Sequence, residues 1–503
     1  NINLALGDAI TTSGGYNRWR VAGGFFRLNY AFKDRYLLEV NGRYDGSSKF
    51  PTDQQWAFFP SVSGGWRVSE EAFWKVNPDL FSNLKIRASY GSLGNGNVSP
   101  YSFLELLSIS TSGRVLNGLK NKYTSAPAVM PDGLTWETAT TTDVGLDFGM
   151  LNNRLQFNGD YYIRKTTDMY TVGETLPDVF GASSPKGNYA DMTTKGWEIT
   201  LTWRDQFTLA EKPFNYEIRG TLSDYISTID RYNNQTGNLD DYYAGKRVGE
   251  IWGYEANDLF LTNQEVDEYL RGVDMSFFKP NKDWQRGDLK YIDSNGDGKI
   301  DPGSGTLKDH GDLKIIGNTT PRYSFGLNLH AGYKGFEVSA LFQGVMKRDF
   351  PMAASTYLFS GDSNFFKEHL DYYNVYNPGA YLPRLTKPDS PEYNANVGYN
   401  TSRYLLNAAY MRLKNLMISY NFQPKLVKKM GLENLKVYFT CDNLFTIDNL
   451  PDVFDPETLN QVNTWAGGSN ETAPGLTSPM KQNGNGKVYP LNKNYVFGIE
   501  FTF

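Results

Sequence analysis

Residues 35–45 read Arg35-Tyr36-Leu37-Leu38-Glu39-Val40-Asn41-Gly42-Arg43-Tyr44-Asp45. Side chains of an extended chain alternate between two faces. Tyr36, Leu38, Val40 and Tyr44 therefore share one face, and Glu39, Asn41, Arg43 and Asp45 share the other. The same two-residue period recurs along the chain. Leu155, Phe157, Tyr161 and Ile163 oppose Gln156, Asn158, Asp160 and Arg164. Trp197, Ile199, Leu201 and Trp203 oppose Glu198, Thr200, Thr202 and Arg204, and Phe214, Tyr216, Ile218 and Leu222 oppose Asn215, Glu217, Arg219 and Thr221. Strands of about ten residues with one apolar and one polar face suit a wall between lipid and a wet interior. A soluble sandwich alternates in the same way, so the period alone leaves both open.

The connections separate them. Strands are predicted at 18–30, 35–45, 56–68, 84–91, 139–150, 155–165, 194–204, 214–226, 321–333, 336–345, 410–421, 435–442 and 494–503. Between them, short turns (31–34, 69–83, 151–154, 205–213, 334–335, 422–434) alternate with long excursions (46–55, 92–138, 166–193, 227–320, 346–409, 443–493). A transmembrane barrel sorts loop length by side, brief on the periplasmic side and extended outside. Structureless loops of this length argue against a compact soluble domain. The fold class is therefore all-β: a transmembrane antiparallel β-barrel segment of about 13 strands with long extracellular loops. The last strand, Tyr495, Phe497, Ile499, Phe501 and Phe503 on one face, ends on an aromatic.

Composition narrows the chemistry. The chain has 503 residues, is 40% apolar and 15% aromatic, and carries a formal charge of −5. No run of apolar residues reaches the length of a membrane-spanning helix. One cysteine excludes a disulfide framework, and three histidines make a His-based metal centre a poor reading. The mild acidity and lack of a basic run argue against nucleic-acid partners. No catalytic set emerges. Trp136-Glu137 has no second carboxylate placed beside it for sugar hydrolysis. The glycine-rich 91–96 stretch opens no helix, as a phosphate cradle requires. An enzyme is not expected.

Several stretches resemble a known family. These are residues 34–50 (DRYLLEVNGRYDGSSKF), then Trp56, Phe58-Phe59-Pro60-Ser61, Gly65-Trp66-Arg67 and residues 84–91 (LKIRASYG). Further along come Trp136-Glu137, Asp442-Asn443-Leu444-Phe445-Thr446 and the terminal Gly498-Ile499-Glu500-Phe501-Thr502-Phe503. Together these are similar to the SusC-like TonB-dependent outer-membrane transporters of Bacteroidetes. The resemblance implies a barrel of about 22 strands closed by a plug. It also implies placement in outer-membrane lipid, a SusD-like surface lipoprotein over the mouth, and energy from the TonB complex acting through an N-terminal part. Residues 1–503 then correspond to the C-terminal portion of the barrel, with the plug absent from this sequence. The expected activity is import of oligosaccharides. The alternatives are a peptide importer of the same architecture, or a secreted calcium-binding lectin-like β-protein.

Two candidate sites fall in the excursions. Asp293-Ser294-Asn295-Gly296-Asp297-Gly298-Lys299-Ile300-Asp301, within the 227–320 loop, matches the first nine positions of a calcium loop. Asp293, Asn295 and Asp297 supply side-chain oxygens, Lys299 its carbonyl and Asp301 a carboxylate. Position 12 is Ser304, not Glu, so Asp309 or Asp312 is expected to complete a structural Ca2+ site. Tyr242, Tyr243, Trp252, Tyr372, Tyr373 and Trp465 are the aromatic candidates for substrate contact, because rings beside Asp and Asn suit sugar faces. Tyr254, Trp284, Tyr376 and Tyr381 belong to the same loops.

Overall fold

The computed structural model describes residues 16–107, 109–124, 129–130, 133–173, 178–180, 184–279, 283–352, 367–387, 390–459 and 490–503. Thirteen of its strands form one sheet. In chain order they are β1 (Val21–Phe32), β2 (Tyr36–Ser47), β3 (Trp56–Arg67), β4 (Phe81–Asn95), β5 (Glu137–Met150), β6 (Leu155–Val172) and β7 (Lys186–Leu209). They continue as β8 (Lys212–Arg231), β9 (Arg322–Tyr333), β10 (Phe336–Lys347), β11 (Tyr410–Asn421), β12 (Asn434–Asp448) and β13 (Asn494–Thr502). Each pairs antiparallel with the next, as in a meander. All thirteen lie where the alternation places strands.

The wall strands run longer than the alternation. β6 and β7 continue to Val172 and back from Lys186, so the expected 166–193 loop shrinks to 173–185. Beyond Lys165 the sequence becomes Thr-rich and loses its apolar face, yet Thr and Tyr still suit an extended ladder. The strand outlasts the hydrophobic period because only the part in lipid needs that period.

The two faces are distinct. Tyr36, Leu38, Tyr44, Val144, Ile199, Leu201, Ile218, Phe336 and Val338 are exposed large apolar residues on one side. Phe497, 81% exposed, and Ile499, 67% exposed, continue that stripe. The other side carries ion pairs: Arg27–Glu39, Arg43–Asp45 and Arg204–Glu217. Glu39, Arg43, Glu198, Arg204, Glu217 and Arg219 all fall on this polar face, as the alternation predicts. At the short-turn end, rings pair across neighbouring strands. Phe148 and Phe157 lie 4.8 Å apart, Phe207 and Phe214 5.0 Å, and Phe336 and Tyr420 4.5 Å. A lipid-facing band edged by aromatics is the pattern of a membrane barrel. No helix among the described residues is long and apolar enough to cross a membrane.

Tight turns join the strands at that end. Lys334-Gly335 and Ala210-Glu211 both adopt positive φ at two consecutive positions, 50° and 90°, and 44° and 64°. Such turns match the twist of the flanking strands but favour Asn and Gly. Ala210 and Glu211 carry the steric cost of the left-handed region themselves. The double substitution Ala210→Asn with Glu211→Gly is expected to stabilise the complete barrel by about 1–2 kcal/mol. Urea unfolding midpoints in lipid vesicles check this, and an unchanged or lowered midpoint refutes it.

Candidate functional site

The two longest excursions are not open loops. They pack into one body with the largest buried apolar cluster among the described residues. Tyr254, Ala256, Phe260, Leu289, Tyr291 and Ile300 come from the first excursion, and Tyr373, Leu382, Tyr393, Ala395 and Tyr404 from the second. Short pairings scaffold it: Glu250–Gly253 with Lys314–Asn318, and Ala256–Leu259 with Leu289–Tyr291. The helix Asn263–Leu270 is capped by Thr262, whose hydroxyl accepts from the Glu265 amide at 3.1 Å. The helix Pro391–Val397 is capped in the same way by Ser390, with Pro at its start. Both caps satisfy amides that a helix start leaves unpaired.

Asp288 joins the excursions. Fully buried, its carboxylate accepts from Lys279 Nζ at 2.7 Å and the Gln285 amide at 2.9 Å in its own excursion. From the other excursion it accepts from Arg384 Nε at 2.7 Å and Asn396 Nδ2 at 2.8 Å. Asn396 Oδ1 in turn accepts from the Leu289 amide at 2.7 Å, and the Tyr291 hydroxyl donates to the Ala395 carbonyl at 2.6 Å. Burial pushes the Lys279 ammonium below the usual lysine range, opposed by the attraction of Asp288. Its Nζ also lies 4.3 Å from the Trp284 ring centre. Lys246, buried as well, donates to the carbonyls of Leu239 and Asp241 at 2.9 Å each, and burial lowers its pKa. A second pin ties a third excursion to the wall. Arg412 of β11 is buried against Asp455 at 2.9 Å and Glu457 at 3.0 Å. Arg348 donates to the carbonyls of Thr319 at 3.1 Å and Pro456 at 3.2 Å.

The aromatic candidates divide under this packing. Tyr243 is buried, its hydroxyl donating to Glu250 Oε1 at 2.5 Å, and burial with that bond raises its pKa. Tyr373 is buried with its hydroxyl on the Leu261 carbonyl at 2.9 Å. The expectation of open stacking surfaces is therefore corrected for these two, since both side chains are buried. Tyr254 and Trp284 belong to the same core. Tyr242, Trp252 and Tyr372 are half-buried. Tyr242 stacks edge-on against Tyr232 at 5.5 Å, and burial pushes its hydroxyl up to about 12. Trp252 donates to Glu250 at 2.9 Å. Tyr376 stands 95% exposed on a tip closed by Asn374 and Asn377. Trp465 lies outside the described residues.

The calcium-like segment folds as nested turns. Asp293 accepts from the amides of Gly296 at 2.6 Å and Gly298 at 2.9 Å, and those glycines take positive φ of 78° and 80°. Asn295 accepts from the Asp297 amide at 2.9 Å, and Asp297 from the Lys299 amide at 2.8 Å. Asp312, almost fully buried, reaches back to the Ser294 amide at 2.7 Å and the Asp301 amide at 3.0 Å. Asp301 and Asp309 cap Gly303 and Ser304. Among the described residues no three His, Cys, Asp or Glu side chains converge as a metal centre requires. The segment closes through hydrogen bonds from its backbone amides to its own Asp and Asn side chains. A structural Ca2+ at Asp293, Asn295 and Asp297 rests on the sequence pattern and remains a proposal.

On the polar wall face, Arg87 of β4 joins three strands. It donates to Asp147 at 3.1 Å and to both carboxylate oxygens of Asp160, Nη1 to Oδ1 and Nη2 to Oδ2, the latter at 2.7 Å. Asp143 lies 3.9 Å away. Alternation marks these residues as inward but does not pair them. Asp288 and Arg412 carry no local signal, because their partners lie in other excursions.

A lipid-belted strand wall with a folded body of excursions at one end defines an outer-membrane β-barrel protein. Comparison with known proteins agrees. Residues 2–340 match the family model described as TonB dependent receptor-like, beta-barrel. The chain belongs to that family, and its place is the outer membrane. It is 29% identical to TonB-dependent receptor P26 of Formosa agariphila, over 97% of this chain and 46% of that one. It is 27% identical to TonB-dependent receptor SusC of Bacteroides thetaiotaomicron, over 87% of this chain and 41% of that one. Among solved structures, that of the RagAB peptide transporter superposes with a TM-score of 0.70 at 21% identity, over 96% of this chain and 48% of that one. The chain spans about half the length of the curated relatives it matches.

Two outcomes test the loop body. Asp288→Ala leaves the buried Lys279 and the half-buried Arg384 without their carboxylate, a defect worth about 3–5 kcal/mol. Limited proteolysis is expected to open the two excursions while the wall stays resistant, and an unchanged digest refutes the pin. Calcium chelation is expected to leave the wall's strand content intact while protease sensitivity rises between 290 and 312. A digest indifferent to calcium removes the ion.

Proposed function

We propose that this chain forms the later wall, the polar lumen lining and much of the extracellular mouth of a TonB-dependent importer. Its cargo on this reading is oligosaccharide, delivered through a SusD-like surface lipoprotein and driven by the TonB complex through a part outside this sequence. The observation that carries it is the union of the two longest excursions into one cored body. A mouth that receives a large cargo with a partner needs a preorganised surface, which a buried core and buried ion pins provide. Family membership and the match to SusC support the transport reading. On this reading the chain acts as a conduit.

A peptide importer is the second reading, favoured by the likeness of fold to the RagAB peptide transporter. Both cargoes use half-buried rings with neighbouring polar groups, here Tyr242, Trp252 and Tyr372. Uptake by cells whose only copy of the complete receptor carries Trp252→Ala with Tyr372→Ala separates them. Accumulation of labelled oligosaccharides is expected to fall about tenfold with peptide uptake unaffected, the loss of one or two stacking contacts. Loss of peptide uptake alone selects the second reading. Unchanged uptake of both removes these rings from the path.

A further inference from the structure

The apolar stripe of β6 ends in Tyr161, Ile163 and then Lys165, and that of β7 ends in Ile199, Trp197 and then Lys195. Register places all six on the lipid side, since Tyr161 faces Trp197, Ile163 faces Lys195, and Lys165 faces Thr193. Both lysines are exposed, and neither enters an ion pair among the described residues. Lys165 lies ten residues beyond the start of β6 at Leu155. At ~3.3 Å per residue and a tilt of ~40° this is a height of ~25 Å, the height of the apolar band of a membrane barrel.

The two lysines also share a level. The ladder row beginning at Tyr36, next to the first short turn, passes through Trp66, Ile86, Leu146 and Gly159 to Ile199. Ile199 is already ten residues from the short-turn end of β7 at Leu209, so rows climb from strand to strand. One strand spacing raises the row ~3 Å, and two residues back along the strand lower it ~5 Å. Lys195 thus sits within ~2 Å of the height of Lys165. The next step of the same diagonal is Asp224, opposite Trp197, and it is neutralised by Arg322 at 2.5 Å. The other nearby outward acid, Asp230, accepts from the Thr193 hydroxyl at 2.5 Å. The apolar band therefore ends on β6 and β7 in two free cations, Lys195 next above Trp197 and Lys165 next above Ile163.

We propose that Lys165 and Lys195 form a seat for the phosphate-bearing headgroup of an outer-leaflet lipid, whose chains lie on the Tyr161, Trp197 and Ile199 stripe. The proposal rests on the outer-membrane placement but not on any transport cargo. Ammonium groups at this boundary extend their stems over apolar surface and hold anionic headgroups electrostatically.

The complete receptor, purified into nanodiscs containing net-anionic phosphate-bearing lipid and zwitterionic phospholipid, tests it by native mass spectrometry of retained lipid. Lys165→Gln with Lys195→Gln is expected to lower retained anionic lipid by on the order of tenfold, while zwitterionic lipid is unaffected. Lys165→Arg with Lys195→Arg is expected to keep it. Unchanged retention in the Gln variant overturns the seat. Displacement of the lipid by millimolar inorganic phosphate alone also overturns it, because the site then reads free phosphate.

Discussion

In lipid no water is available to pair a backbone amide or carbonyl, and this one constraint organises the chain. Every wall strand must give its hydrogen bonds to its neighbours, so thirteen strands run as an unbroken antiparallel ladder. The ladder fixes the two-residue period, and the period fixes which side chains meet lipid. It also explains why the wall needs so little apolar sequence. One residue in two faces lipid, and only over the height of the band.

The same constraint governs what could be read from the sequence. Strand positions were legible because each is encoded locally, residue by residue, within its own segment. Residues 155–165 predict β6 without reference to any partner. Its continuation to Val172 was hidden, because outside lipid a strand needs only neighbours and its polar residues leave no period. Loop interiors were less legible for a different reason. Tyr254 and Tyr373 look like any ring among Asp and Asn, and what buries them comes from distant segments. Asp288 pairs with Arg384 and Asn396 in another excursion, and sequence spacing gives no hint of such a meeting.

Two kinds of apolar surface thus coexist, with different physics. On the wall, Phe336 and Phe497 remain exposed to whatever surrounds the sheet, and lipid satisfies them without close packing by protein. In the loop body, Phe260, Leu289 and Ile300 are fully covered by protein, as in a soluble domain. Aromatic content alone cannot tell them apart. The period does, since the wall residues alternate and the core residues do not.

The buried ions show where the fold invests in geometry over stability. A carboxylate as deep as Asp288 gives up its hydration, and apolar residues of the same volume pack at no greater cost. What the pair of cations and the Asn396 amide gain is directionality. Each bond has one donor, one acceptor and one angle, so the two excursions meet in a single register. Arg412 and Arg348 repeat the device where the 449–459 segment meets the wall. Apolar contacts alone would let the excursions slide over one another, because apolar packing specifies volume more strictly than direction. A loop body assembled from segments over a hundred residues apart therefore holds its shape through charges placed where water competes poorly for them.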